Sequence, residues 1–301
     1  MLDVLVFSFA QLSGAWSSSR PPECGDPAGK AANVWERAKS PDLRRYCDLV
    51  ASAASKLAGI GATTQGGLEA AREAERILPG HAAPRVLEGR ALAALGQYGE
   101  ALAALGDGKS RDPRALDDPP ALLAWARALA RLGRYDAAAE AYRALLPRST
   151  ALSTAERVAA EIEAGLVAMV HGPAGLDEAA AALREAVREA QDDARSMAVL
   201  TLALVLDRRG DTAQARAVLS ERSRGDPRDA LASSRAKELL SAVPAEAHAL
   251  AALGLESSDA AGARDEWQQA LDAAPSGAWA GHARAHLTAL GRKRIGGRES
   301  P

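Results

Sequence analysis

Apolar residues recur three and four positions apart through most of this chain, in runs that stop at glycine or proline. That spacing predicts helices. Over residues 42–57, Leu43, Tyr46, Cys47 and Val50 fall on one helical face, with Pro41 just before the start. Residues 58–67 (AGIGATTQGG) hold four glycines and predict a loop. A second run over 68–78 stops at Pro79 and Gly80. This is a helix pair with a stretched connection.

From residue 82 onward a unit repeats. In residues 86–113, Gly89 and Leu92 sit in one helical run and Gly96, Gln97 and Tyr98 form a turn. Ala101 and Leu105 sit in a second run that ends at Pro113. Residues 122–147 keep the order with Trp125, Ala126, Leu129, Gly133, Tyr135, Ala138 and Tyr142. A third, looser unit has Ile162, Gly165 and Met169, a turn lengthened over 171–175, then Ala179, Leu183 and Ala186. The fourth, 196–227, places Ala203, Leu206, Gly210, Ala215, Leu219 and Pro227, and 228–240 adds a short helix. The last, 245–275, places Ala251, Ala263, Trp267, Ala270 and Pro275, followed by a closing helix over 278–290. Small residues recur where helix backbones would cross, and large ones where a gap beside the crossing needs filling.

These windows resemble the tetratricopeptide repeat (TPR), a helix–turn–helix unit of about 34 residues. Gly89, Gly96, Tyr98, Ala101, Leu105 and Pro113 fall on the family's small, turn, aromatic, large and terminating positions. Arg85 stands where the family often carries Trp. The resemblance covers most of residues 82–275. It implies an all-α fold, a right-handed superhelical solenoid of antiparallel helix pairs. The expected organisation is a leader over 1–19, an N-terminal helical cap over 20–80, the solenoid with its closing helix over 81–290, and a disordered basic tail over 291–301.

Composition agrees with many small contacts, since 48% of residues are hydrophobic and only 4% aromatic. A net charge of −2 gives no reason to expect nucleic acid as a partner. Residues 2–10 are mostly apolar but far too few to span a bilayer as a helix. Ser13 and Ala15 have the spacing of a signal-peptidase site, so a secretory signal cleaved after Ala15 is expected, although Asp3 stands where a basic residue is usual. A frayed apolar N-terminus is the alternative. Cys24 and Cys47 are the only cysteines. In an oxidising compartment they would form one disulfide, worth about 3 kcal/mol in the chain-entropy model. In the cytosol they would be two half-buried thiols.

Candidate chemistry is thin. His282 and His286 are four apart and share a helix face, but no third ligand lies near them in sequence. They read as two solvated histidines, and neither a metal nor a cofactor is expected. Ser17, Ser18 and Ser19 lie in the leader without a partner base. The glycines of 58–67 lack a P-loop lysine.

The resemblance implies instead a concave face lined by the first helix of each pair. Carried over by position, that face holds Val86 and Arg90, then Leu123, Arg127 and Arg131, then Met197, Leu200, Leu204, Asp207 and Arg208. The Lys and Asn by which some members grip C-terminal carboxylates are missing. Arg90, Arg127 and Arg131 form a candidate strip for an acidic segment, using Arg forks. Their pairing with Glu or Asp of the same chain is the competing possibility. The implied function is a non-enzymatic protein–protein or peptide-binding scaffold, in the periplasm or cell envelope if the leader is a signal. A cytosolic adaptor or an accessory subunit of an enzyme complex is the alternative.

Overall fold

The computed structural model describes residues 16–25, 41–58, 63–170, 172–220 and 226–296, the side chains of 234, 235 and 293–296 excepted. The expected signal over 1–15, the last five residues of the tail and His171 lie outside the described residues.

The described chain is all-helical, and its helices pack as sequential antiparallel pairs. The first pair is α1 (Pro41–Ala58) and α2 (Thr64–Ile77). Helices α3 (Ala82–Ala94) and α4 (Tyr98–Arg111) form the next. Helix α5 (Pro119–Arg131) and helix α6 (Tyr135–Leu145) follow, and then the pairs α7 (Thr154–Val170) with α8 (Leu176–Glu189) and α9 (Asp192–Arg208) with α10 (Thr212–Ser220). Two short helices, α11 (Pro227–Ala232) and α12 (Ser234–Leu240), precede the pair α13 (Pro244–Leu255) and α14 (Ala260–Ala273). Helix α15 (Ala280–Gly296) closes the series and runs further into the basic tail than 278–290 predicts. No described helix is long and apolar enough to cross a membrane. The chain divides into two compact units, residues 1–128 and 129–301.

Three turns close in the same way. Gly96 N–H donates to Ala93 O at 3.1 Å and Gln97 N–H to Leu92 O at 2.9 Å. Gly133 and Arg134 repeat this on Ala130 and Leu129, and Gly210 and Asp211 on Asp207 and Leu206. Each glycine has a positive φ, 78°, 71° and 87°, which costs a residue with a Cβ but not glycine. The turn therefore caps the first helix and aims the second back along it.

The alanines expected at the crossings are sealed. Ala101, Ala138, Ala179 and Ala263 have no exposed surface, and Ala215 keeps 2%. Their partners fit the same register. A Cβ on Gly89 would lie 2.5 Å from Leu105 Cγ, and one on Gly165 would lie 2.7 Å from Leu183 Cγ. Helices so close have no room for a larger residue. Ala138→Leu is expected to cost about 1–3 kcal/mol by overpacking, read as a lower midpoint in urea unfolding.

One expectation fails locally. Gly66 and Gly67 belong to the first turn of α2 rather than to a loop. A Cβ on Gly67 would lie 3.0 Å from Leu57 Cδ2, so a small residue lets α1 approach the start of α2.

In the second unit, α7 is buried over most of its length and carries Glu161 and Glu163 inside. Tyr142 donates its hydroxyl to Glu163 Oε2 at 3.1 Å. Burial, with Glu189 and Glu185 nearby, pushes the Glu161 carboxyl up to about 7. Between pH 4.5 and about 7 the folded chain holds a proton that the unfolded chain has released. Stability contributed by this group therefore falls as pH rises through that window. Glu161→Gln is expected to melt like the parent at pH below 4.5. Above pH 7 it should be more stable by about 1–3 kcal/mol. Melting curves across the window test the sign.

Candidate functional site

In the first unit, residues 16–25 lie against the helices. Trp16 is 6% exposed and Ser18 only 1%, so the end of the expected leader is packed at these two residues. Ser18 donates its hydroxyl to Asp118 Oδ2 at 2.6 Å and accepts from Arg90 Nη1 at 2.9 Å. Arg90 lies 3.9 Å from Asp118, and Asp118 sits just before α5. Downstream, Pro22–Cys24 forms a single 3₁₀ turn. Cys24 is bonded to Cys47 of α1, with a Cα separation of 5.6 Å. Tyr46, one residue from Cys47, donates its hydroxyl to Glu23 Oε1 at 2.5 Å, and His81 Nδ1 is 3.3 Å from the same oxygen. Burial and the Glu23 carboxylate push the Tyr46 phenol far up, so it stays neutral.

Arg90 is thus engaged within its own chain, by Ser18 and Asp118. Arg127 is half-buried in the same unit, whereas Arg131 belongs to the second unit.

The second unit corrects the other groove residues. Leu200 and Leu204 have no exposed surface. Helices α11 and α13 pack on α9. A Cβ on Gly254 of α13 would lie 3.1 Å from Leu200 Cδ2. These leucines are core and do not line an open face. Arg208 is sealed as well, with 3% of its side chain exposed, and its Nη2 lies 2.6 Å from Glu246 Oε2. Its guanidinium sits 4.5 Å from the centre of the Trp279 ring. Burial lowers the Arg208 pKa and Glu246 opposes that shift, so the cation depends on its partner.

Beside this pair is a cavity of about 250 Å³ walled by Tyr135, Arg208, Glu246, Trp267 and Trp279, among others. Its aromatic walls are fixed. Tyr135 donates to Ala242 O at 2.6 Å and the Trp279 indole to Met169 O at 2.7 Å.

Next to the cavity, the expectation of two solvated histidines is overturned. His282 and His286 keep 17% of their side chains exposed, and each places Nε2 2.9 Å from Asp207 Oδ2. His286 Nδ1 lies 2.5 Å from Glu256 Oε1, which also accepts from the Trp267 indole at 2.8 Å. Trp267 stacks on His286 with 4.4 Å between ring centres. Burial would raise Asp207, but the two imidazoles outweigh it and hold the carboxyl well below its usual range. Burial would lower His286, but Asp207 and Glu256 outweigh it and push the imidazole up to about 9. The i, i+4 spacing is readable in sequence. Asp207, 79 residues before His286, is not.

No protein-family model matches the chain, and no curated protein sequence matches it. Solved TPR structures do. YrrB, described as a TPR protein with an unusual peptide-binding site, is 17% identical with a TM-score of 0.42, over 72% of this chain and 99% of its own. TTC0263, a thermophilic TPR protein of Thermus thermophilus, is 22% identical with a TM-score of 0.37, over 69% and 98%. The TPR domain of P58(IPK) is 12% identical with a TM-score of 0.36, over 88% and 70%.

Proposed function

We propose that this protein is a non-enzymatic scaffold that holds a segment of polypeptide against its helix pairs, and that it works in the cell envelope. The observation that carries the reading is the seating of residues 16–25 in the first unit. There Arg90, a residue expected to meet a partner, takes Ser18 of the same chain, while Trp16 is buried. A surface that accepts one irregular segment through an aromatic anchor and an Arg–Asp pair has the means to accept another. Export is supported by the Cys24–Cys47 bond, because structural disulfides persist mainly in oxidising compartments. The apolar stretch that ends at Ala15 supports it as well. Mass spectrometry of protein from its native cell is expected to give Trp16 as the first residue, and an intact Met1 would remove the envelope from the proposal.

The binding itself is testable with the chain's own segment as probe. A fluorescent peptide of residues 16–25, with Cys24→Ser, is titrated into the full-length Trp16→Ala/Ser18→Ala variant. Saturable binding is expected, weaker by at least about tenfold in the parent chain, where the tethered segment competes at high effective concentration. Adding Arg90→Ala should weaken it again. A double variant that ignores the peptide, or binds it equally well without Arg90, contradicts the reading.

A further inference from the structure

We propose that Asp207, His282 and His286 form a binding site for a divalent first-row transition metal, Zn²⁺ being the ion they fit best. One carboxylate oxygen and two imidazole nitrogens converge. Each histidine Nε2 is 2.9 Å from Asp207 Oδ2, and one ligand atom from each residue lies within 4.8 Å of the others. Nitrogens at that separation need only small side-chain shifts to give ligand distances near 2.0–2.2 Å around a shared ion.

The surroundings match what such a site requires. His286 points its other nitrogen at Glu256, 2.5 Å away, the arrangement by which an outer carboxylate fixes a ligating imidazole. Glu256 is itself held by the Trp267 indole, and Trp267 stacks on the His286 ring. The second ligand, His282, follows from the helix, because residues four apart lie one turn apart on α15. Asp207 comes from the last turn of α9, whose backbone is fixed by the turn in which Gly210 N–H donates to the Asp207 carbonyl. Two carboxylates, Asp207 and Glu256, balance a doubly charged ion. Imidazole with carboxylate selects zinc and its neighbours over Mg²⁺ or Ca²⁺, which prefer all-oxygen shells. Three protein ligands leave one position for water. Joining α9 to α15, the ion would pin the closing helix to the preceding pairs of its unit.

The test uses the tag-free, full-length chain, stripped with a chelator and dialysed against Zn²⁺ or Co²⁺ near neutral pH. One equivalent of Zn²⁺ per chain is expected by elemental analysis, with a rise in melting temperature, and Co²⁺ should give the visible bands of a low-coordinate site. His282→Gln and Asp207→Asn should each lose the equivalent. Glu256→Gln, which keeps all three ligands, should bind about 10–100-fold more weakly. His248→Gln removes a histidine that pairs with Glu266 elsewhere and should bind normally. Far-UV circular dichroism shows which variants remain folded, and the result on the parent chain does not depend on them. A parent chain that takes up no Zn²⁺ at micromolar concentration, or uptake equal in His282→Gln, would show a hydrogen-bonded cluster only and overturn the proposal.

Discussion

Glu246→Ala is expected to destabilise the second unit by about 3–5 kcal/mol, because it removes the counter-charge of a cation that water barely reaches. Arg208 keeps 3% of its side chain exposed, and its Nη2 meets Glu246 Oε2 at 2.6 Å. A guanidinium cannot escape by losing its proton, because arginine is not deprotonated in proteins. The face of Trp279, 4.5 Å away, offers attraction but no charge. The double variant Arg208→Met/Glu246→Leu should recover most of the loss, because well-packed apolar side chains often replace a buried ion pair at little cost. Urea unfolding followed by circular dichroism measures both. A single variant within about 1 kcal/mol of the parent would mean that water reaches Arg208 after all.

That buried pair also shows what a sequence can and cannot reveal. The turns at Gly96, Gly133 and Gly210 and the alanines at 101, 138, 215 and 263 are legible, because each depends on contacts within one hairpin. Gly66 and Gly67 read as loop because glycine usually breaks helices, while here the nearness of Leu57 sets the choice. Leu200, Leu204 and Arg208 read as lining an open face because α9 is the first helix of its pair. What covers that face comes later in the chain, from α11, α13 and Trp279, and no local spacing announces it. The histidines of α15 mislead for the same reason. Their shared face is visible, but the Asp207 carboxylate that makes it polar and enclosed belongs to α9. Local pattern fixes the hairpins, and contacts between hairpins decide which faces stay wet.

Trp267→Ala is expected to cost about 3–5 kcal/mol, the usual loss for a large buried ring. Trp267 keeps 1% of its surface and is among the largest sealed side chains. It occupies the slot that Leu105, Tyr142, Leu183 and Leu219 fill in other hairpins, four residues after the crossing alanine. If filling that slot were its whole role, Trp267→Leu would be nearly neutral, since leucine serves there in other pairs. The ring does more. Its indole N–H donates to Glu256 at 2.8 Å, and its face lies 4.4 Å from the His286 ring. Losing a hydrogen bond to a charged acceptor costs about 1.5–3 kcal/mol, so Trp267→Leu should still lose roughly 2 kcal/mol or more. Trp267→Phe keeps a stacking ring and should fall between leucine and the parent. Thermal and urea melts of the three variants separate the contributions. Equal losses in Leu and Ala would place the whole effect in the stack and its hydrogen bond, whereas a neutral Trp267→Leu would reduce Trp267 to a filler of the repeat.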